Sequence, residues 1–119
     1  MARINSFTEL TIWKLGMEVS KLVYLATKNF PADERFGLVA QIRRAAVSLP
    51  TNVAEGWGRN TPGEFRQFLG IALGSAAEVQ TELYLSRDLE FLSAADCESI
   101  RAKVEHFRAA TLKLKSTLK

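Results

Sequence analysis

The positions of proline and glycine divide this 119-residue chain into helical segments. They fall almost entirely at three places: Phe30-Pro31, the stretch Pro50 to Gly63, and the pair Gly70/Gly74. Everything between them reads as helix. Leu10, Trp13, Met17, Ser20, Tyr24 and Thr27 recur at three-four spacing, and Ile12, Gly16, Val19, Val23, Ala26 and Phe30 make a second such row. The first helix therefore has two packing faces. It stops at Asn29-Phe30-Pro31, because the residue before a proline is pushed out of the α region, and Asp33-Glu34 puts acid at the next helix start.

The second helix starts at about Asp33 or Leu38 and runs to Trp57, with Pro50 inside it. Proline has no N–H to give the Ala46 carbonyl and its ring crowds that oxygen, so a kink is expected. Leu38, Ile42, Ala45, Ala46, Leu49, Val53 and Trp57 share one apolar arc, which Val39, Val47, Pro50 and Ala54 widen to about half the circumference. One neighbouring helix does not need so wide an arc. Gln41, Arg44, Ser48, Thr51, Asn52 and Glu55 fill the other side, while Arg43 falls inside the apolar arc.

Thr61-Pro62-Gly63-Glu64 has the form of a capping box, and Ser93-Ala94-Ala95-Asp96 is a second cap signal. The third helix, which the Thr61 box opens, carries a core stripe of Phe65, Phe68, Leu69, Ala72, Ala76, Val79 and Leu83. Beside it Gly70, Gly74, Ala77 and Thr81 form a small-residue row that predicts close approach of another backbone. A third row holds Glu64, Ile71, Ser75, Glu78 and Glu82. In the last helix Cys97, Ile100, Val104, Phe107, Thr111, Leu114 and Leu118 make a heptad seam. The expected fold is all-α: an up-down-up-down four-helix bundle with a proline-kinked second helix, over residues 1–119 as one domain. The helices are placed at about 9–29, 34–57, 62–91 and 94–118.

Composition removes several classes of function. An apolar fraction of 47% with 24% charged residues is that of an ordinary globule. The longest stretch without a formal charge, Gln67 to Ala77, is far shorter than the roughly 20 residues that cross a bilayer. Met1-Ala2-Arg3-Ile4-Asn5-Ser6 has no signal-peptide apolar region, so a cytoplasmic protein is expected. One cysteine cannot form an intrachain disulfide, and His106, the single histidine, lacks the Glu-x-x-His spacing of di-iron bundles. Glu78 and Glu82, one turn apart, form a paired-carboxylate candidate, but such rows are more often solvated or arginine-paired. Cys97 lies on the seam, where a thiol behaves as a small apolar residue. Gly56-Trp57-Gly58-Arg59 follows a helix rather than a strand and lacks the ending of a phosphate loop. No catalytic residue, cofactor, metal site or small-molecule substrate is expected.

The basic residues carry more information. Residues 60–99 hold seven acids and two bases, while residues 100–119 hold six bases and one acid, so the overall +3 averages two opposite segments. Arg101, Arg108 and Lys115 are seven apart and form a ridge able to follow phosphates; composition alone favours the plainer reading, that cations near a helix C-terminus complement its dipole and keep the surface soluble. Arg43, Arg44, Arg59 and Arg66 group around the second helix and its exit, with Trp57 as a stacking candidate. Their structural alternative is pairing with Glu55, Glu78 or Glu82, above all for Arg43 and Arg44.

The run from Gln41 to Gly56, QIRRAAVSLPTNVAEG, resembles the signature of the four-helix-bundle family encoded in intervening sequences of 23S ribosomal RNA genes. Phe7, Leu10, Trp13, Phe30-Pro31, Glu34, Phe36, Gly37, Leu38, Phe65, Phe68-Leu69, Ile71-Ala72, Gly74-Ser75 and Glu78 extend the likeness. The chain is also similar to the accessory variability determinant of diversity-generating retroelements. The resemblance implies a kinked bundle assembling as a homopentamer, a basic surface toward RNA or DNA, and, in the retroelement relatives, a reverse transcriptase as partner. It brings no catalytic residues. It carries over Arg43, Arg44 and Arg59 as nucleic-acid or assembly candidates and Ser48, Pro50, Asn52 and Glu55 as a polar network at the kink. The resulting expectation is a non-enzymatic oligomeric bundle that binds nucleic acid, RNA ahead of DNA. The alternative is a protein-interaction scaffold or accessory subunit for a polymerase.

Overall fold

In the computed structural model, which describes residues 4–119, four helices carry the chain: α1 (Thr11–Thr27), α2 (Leu38–Gly58), α3 (Pro62–Asp88) and α4 (Ala94–Thr117). Short 3₁₀ turns at Phe7–Glu9 and Ala32–Glu34 precede α1 and α2. Cross-helix contacts give the directions. Thr27 and Ser20 of α1 meet Arg43 and Ala46 of α2, and Gly16 meets Pro50, so α1 and α2 run antiparallel. Gly56 of α2 lies on Phe65 and Phe68 of α3, and Leu83 and Gly70 of α3 face Cys97 and Lys115 of α4. Glu18 of α1 reaches Lys103 of α4 at 2.8 Å, which closes the ring of four antiparallel neighbours. Among the described residues the diagonal pairs α1/α3 and α2/α4 do not adjoin.

The expected stripes form the core. Val19, Val23, Ala46, Leu49, Val53, Leu69, Ala72, Ala76, Val79, Val104 and Phe107 are fully buried. Most of the wide apolar arc of α2 is used because that helix packs on both α1 and α3, while Val47 at its edge stays exposed. The helix runs from Leu38 to Gly58 without a break at Pro50. Gly16 makes this junction fit: a Cβ there would stand 2.9 Å from the Pro50 nitrogen.

Of the two expected starts for the second helix, Leu38 holds rather than Asp33–Glu34, because residues 32–34 make a separate 3₁₀ turn. Two further local expectations are corrected. The third ends at Asp88 rather than 91: Glu90 adopts φ 64, and the Phe91 amide donates to the Ser86 carbonyl at 2.9 Å. This is a helix stop normally marked by glycine, and here nothing in the sequence announces it. The Thr61 box is half formed. Its hydroxyl accepts from the Glu64 amide at 3.2 Å, but the Glu64 carboxylate turns to Arg59 at 3.7 Å. A complete box sits instead at Ser6 and Glu9, an S-x-x-E pattern that is legible in the sequence.

The small-residue row is corrected as well. Nothing lies within 4 Å of a Cβ built on Gly74, and Gly70 meets only the Lys115 side chain at 3.7 Å. Close approach occurs at Gly16 and at Gly56, whose added Cβ would stand 2.8 Å from the Phe68 Cβ.

Candidate functional site

Ion pairing along α4 decides where positive charge is available. Arg101 donates two hydrogen bonds to Glu98, both 2.6 Å, and Arg108 donates two to Glu105, both 2.7 Å. Each pair is three residues apart on one helix face. The carboxylates stabilise the guanidinium charge and are themselves held below their ordinary range, first by that hydrogen bond. The expected phosphate ridge is therefore largely neutralised along its length. Lys103 is likewise paired, with Glu18. Lys115 is the ridge member without a carboxylate at ion-pair distance among the described residues.

Antiparallel packing brings Lys115 beside the first turns of α3. With Gly63, Arg66, Gln67 and Gly70 it lines an open recess of about 330 Å³. Arg66 donates to the Leu118 carbonyl at 3.4 Å and has no acidic partner among the described residues. Gly70, expected to admit a backbone, instead gives room to the Lys115 stem. The recess adjoins the amide-rich N-terminus of α3, which favours anions.

The remaining candidates are placed differently. Arg43 has no carboxylate partner among the described residues, contrary to the expected pairing. Its Nε donates to the Thr27 hydroxyl at 2.9 Å and its guanidinium lies 4.4 Å from the Tyr24 ring centre. A hydroxyl and an aromatic face thus do what a carboxylate was expected to do. Thr27 donates its own proton to the Val23 carbonyl at 2.8 Å. Arg59 lies against Glu55 at 3.4 Å, Glu64 at 3.7 Å and the Phe68 ring at 5.1 Å. Trp57, half-buried, meets Phe65 edge-on at 6.1 Å rather than standing free for stacking.

The polar group near Pro50 does not join into one network. Ser48 donates to the Ala45 carbonyl and Asn52 to the Ser48 carbonyl, both at 2.8 Å within α2, while Glu55 goes to Arg59. The residue that does serve Pro50 comes from α1. Ser20, buried, places its hydroxyl 2.9 Å from the Gly16 carbonyl and 3.0 Å from that of Ala46.

Arg44 joins Gln41 and Ser48 on one wall of a cleft of about 390 Å³ whose other wall is Ser75, Glu78 and Glu82. Burial, and next the Glu78 carboxylate, push the Glu82 carboxyl up, against Arg44. Cys97 is buried, its thiol pushed up by desolvation and turned to the Leu83 carbonyl at 3.7 Å. Among the described residues no three acidic, histidine or cysteine side chains gather as a metal site, and no helix is long and apolar enough to cross a membrane.

Comparison with known proteins gives the family and the fold. A family model described as 23S rRNA-intervening sequence protein matches residues 8–112. A solved structure of a protein with unknown function, from the S23 ribosomal protein family of Bacteroides thetaiotaomicron, superposes with a TM-score of 0.80. It is 22% identical, and the match covers 88% of this chain and 98% of that one, a likeness of fold. No curated protein matches.

Proposed function

The chain belongs to the 23S rRNA-intervening sequence protein family, and from that premise we propose a non-enzymatic, homo-oligomeric bundle that binds nucleic acid through basic contacts to phosphate. The observation that carries this reading is the recess at the α3/α4 end. Arg66 and Lys115 share it without acidic partners among the described residues, and the surrounding segment 100–119 holds six bases against one acid. RNA is preferred to DNA, in keeping with the ribosomal RNA of the family description. The protein works in the cytoplasm. A bend of α2 at Pro50 belongs to this reading, because the ring crowds the Ala46 carbonyl.

A single basic recess binds weakly. Repetition around a ring, a homopentamer in this reading, gives multivalent avidity from a chain of only +3. Tyr24, Leu25, Ile71, Leu85 and Leu89 remain exposed and supply apolar surface for association. Two measurements test the proposal. Affinity for structured RNA should fall steeply as salt rises, and absence of binding at low salt, or a flat response, would overturn it. The mass in solution should be a multiple of the chain; a stable monomer refutes the assembly.

A second reading rests on an apolar groove of about 700 Å³ between α1 and α2, which includes Trp13, Met17, Val47, Pro50 and Ala54. It favours a scaffold or accessory subunit for a polymerase or other protein. Retention of a partner after nuclease treatment, by a protein that shows no salt-dependent RNA binding, selects it over the first.

A further inference from the structure

Phe36 is the most exposed large apolar side chain among the described residues, at 88%. It does not hang from a loose loop. The Gly37 amide donates to the Glu34 carbonyl at 3.1 Å and the Leu38 amide to the Glu34 carboxylate at 3.2 Å, which pins the turn that carries the ring to the start of α2. Arg35 lays its guanidinium 5.5 Å from the ring centre. An aromatic ring held outward on a fixed turn loses little freedom when it is buried, which is what an interface anchor requires.

The groove between α1 and α2 has the opposite shape. Trp13, Met17, Val47, Pro50 and Ala54 border about 700 Å³ of open space, and Val47 is 40% exposed. Trp13 is held there by Phe7, edge-on at 5.6 Å. An indole, a thioether and a proline ring together favour an aromatic occupant, through stacked or edge contacts and sulfur at the ring edge. On the rim stand Glu55 and Arg59, 3.4 Å apart and both about half exposed. Phe36 in turn is flanked by Asp33 and Arg35, neither with an oppositely charged partner at ion-pair distance among the described residues. Knob and groove thus match in shape, in apolar character and in charge, each side offering one acid and one base.

They cannot meet within one chain. Phe36 precedes the first residue of α2, whereas Pro50 and Ala54 stand about 18–24 Å further along that helix at 1.5 Å per residue. We propose that Phe36 of one copy seats in the Trp13/Pro50 groove of a second copy, a head-to-tail contact with Arg35 toward Glu55 and Asp33 toward Arg59. Repeated around a closed ring, this one contact covers the knob and the groove of every copy. It deepens the self-association read above and rests on it, while the Arg66/Lys115 recess takes no part.

The test is sedimentation of the full-length protein. Phe36→Ala removes an exposed ring, so its circular dichroism spectrum should match the wild type while the midpoint of its dissociation moves to concentrations about tenfold higher or more. Val47→Glu, which puts a charge into the groove, should do the same; Thr51→Glu takes its place if that variant fails to fold. Mixing then reads the direction of the contact. Phe36→Ala keeps an intact groove and Val47→Glu an intact ring, so an equimolar mixture, at a concentration where each alone is one chain, should reach the mass of two chains and stop there. A mixture that stays at one chain overturns the proposal. Wild-type mass in both variants gives the groove another occupant and overturns it too, as does loss of RNA binding in Phe36→Ala at unchanged mass, which assigns the ring to a stacked base. A wild type that is itself one chain refutes the self-association as a whole, whereas wild-type mass in Phe36→Ala refutes this contact alone. Salt-dependent RNA binding and its loss in Arg66→Ala report on the basic recess separately.

Discussion

The hydroxyl of Ser20 on α1 lies 3.0 Å from the carbonyl oxygen of Ala46 on α2, the acceptor that Pro50 leaves without its helical donor. The helix thus replaces a lost backbone bond with a tertiary one. Ser20→Ala is expected to cost about 1–3 kcal/mol by leaving that buried oxygen unsatisfied. In a Pro50→Ala background the backbone amide restored at that position reclaims the acceptor, so the same serine replacement should cost less. Urea unfolding of the four members of this double-mutant cycle measures the coupling; strict additivity would show that the two residues act independently.

Glycine positions should divide sharply. A methyl on Gly16 meets the Pro50 backbone at 2.9 Å and one on Gly56 meets Phe68 Cβ at 2.8 Å, so alanine at either is expected to destabilise by about 1–3 kcal/mol. Gly74→Ala meets nothing within 4 Å and should stabilise α3 by about 0.5–1 kcal/mol. Thermal or urea unfolding of the three single variants, compared on the same day, checks the signs.

Glu90 sits at φ 64 after the end of α3, a conformation that costs an L-residue roughly 1–2 kcal/mol. Glu90→Gly should recover about 1 kcal/mol of stability, less the added freedom of the unfolded chain. A lower midpoint than the wild type in urea would show that the Glu90 side chain contributes more than its backbone strain costs.

Binding to RNA should distinguish paired from unpaired cations. Arg66→Ala and Lys115→Ala are each expected to lower the slope of log affinity against log salt by about one. Arg101→Ala and Arg108→Ala should change it less, since Glu98 and Glu105 already neutralise them. Conversely, Glu98→Gln or Glu105→Gln should tighten RNA binding. Equal effects at all four cations would contradict the role given to these ion pairs.

The Glu82 carboxyl is held above its ordinary 4.5 by burial, then by Glu78, against Arg44. A group raised on folding contributes stability that is complete below the unfolded value and is lost as pH rises through the folded one. For the single chain, Glu82→Gln should therefore match the wild type near about pH 4 and exceed it in melting temperature near about pH 7. A difference between variants that does not change with pH would remove the basis for a raised carboxyl.

Helix number, core stripes and the two serine and threonine caps were legible in the sequence, because apolar periodicity and cap chemistry are local. Arg43 shows the limit. Its place within an apolar arc was readable, but its partner, Thr27, is 16 residues away and was assigned to no polar role. The charge on α4 shows a second limit: Glu98 and Glu105 stand at i−3 in the sequence, yet only rotamers that close both forks turn that spacing into paired charge.

What the sequence determined by itself is therefore the set of surfaces: four amphipathic helices, a proline inside one of them, and an acidic segment followed by a basic one. The tertiary structure decided which surfaces meet. Antiparallel packing set Ser20 against Ala46, Lys115 beside Arg66, and Glu82 across a cleft from Arg44. Such pairings depend on the relative rotation and height of helices, quantities fixed by the sum of core packing rather than by any local pattern.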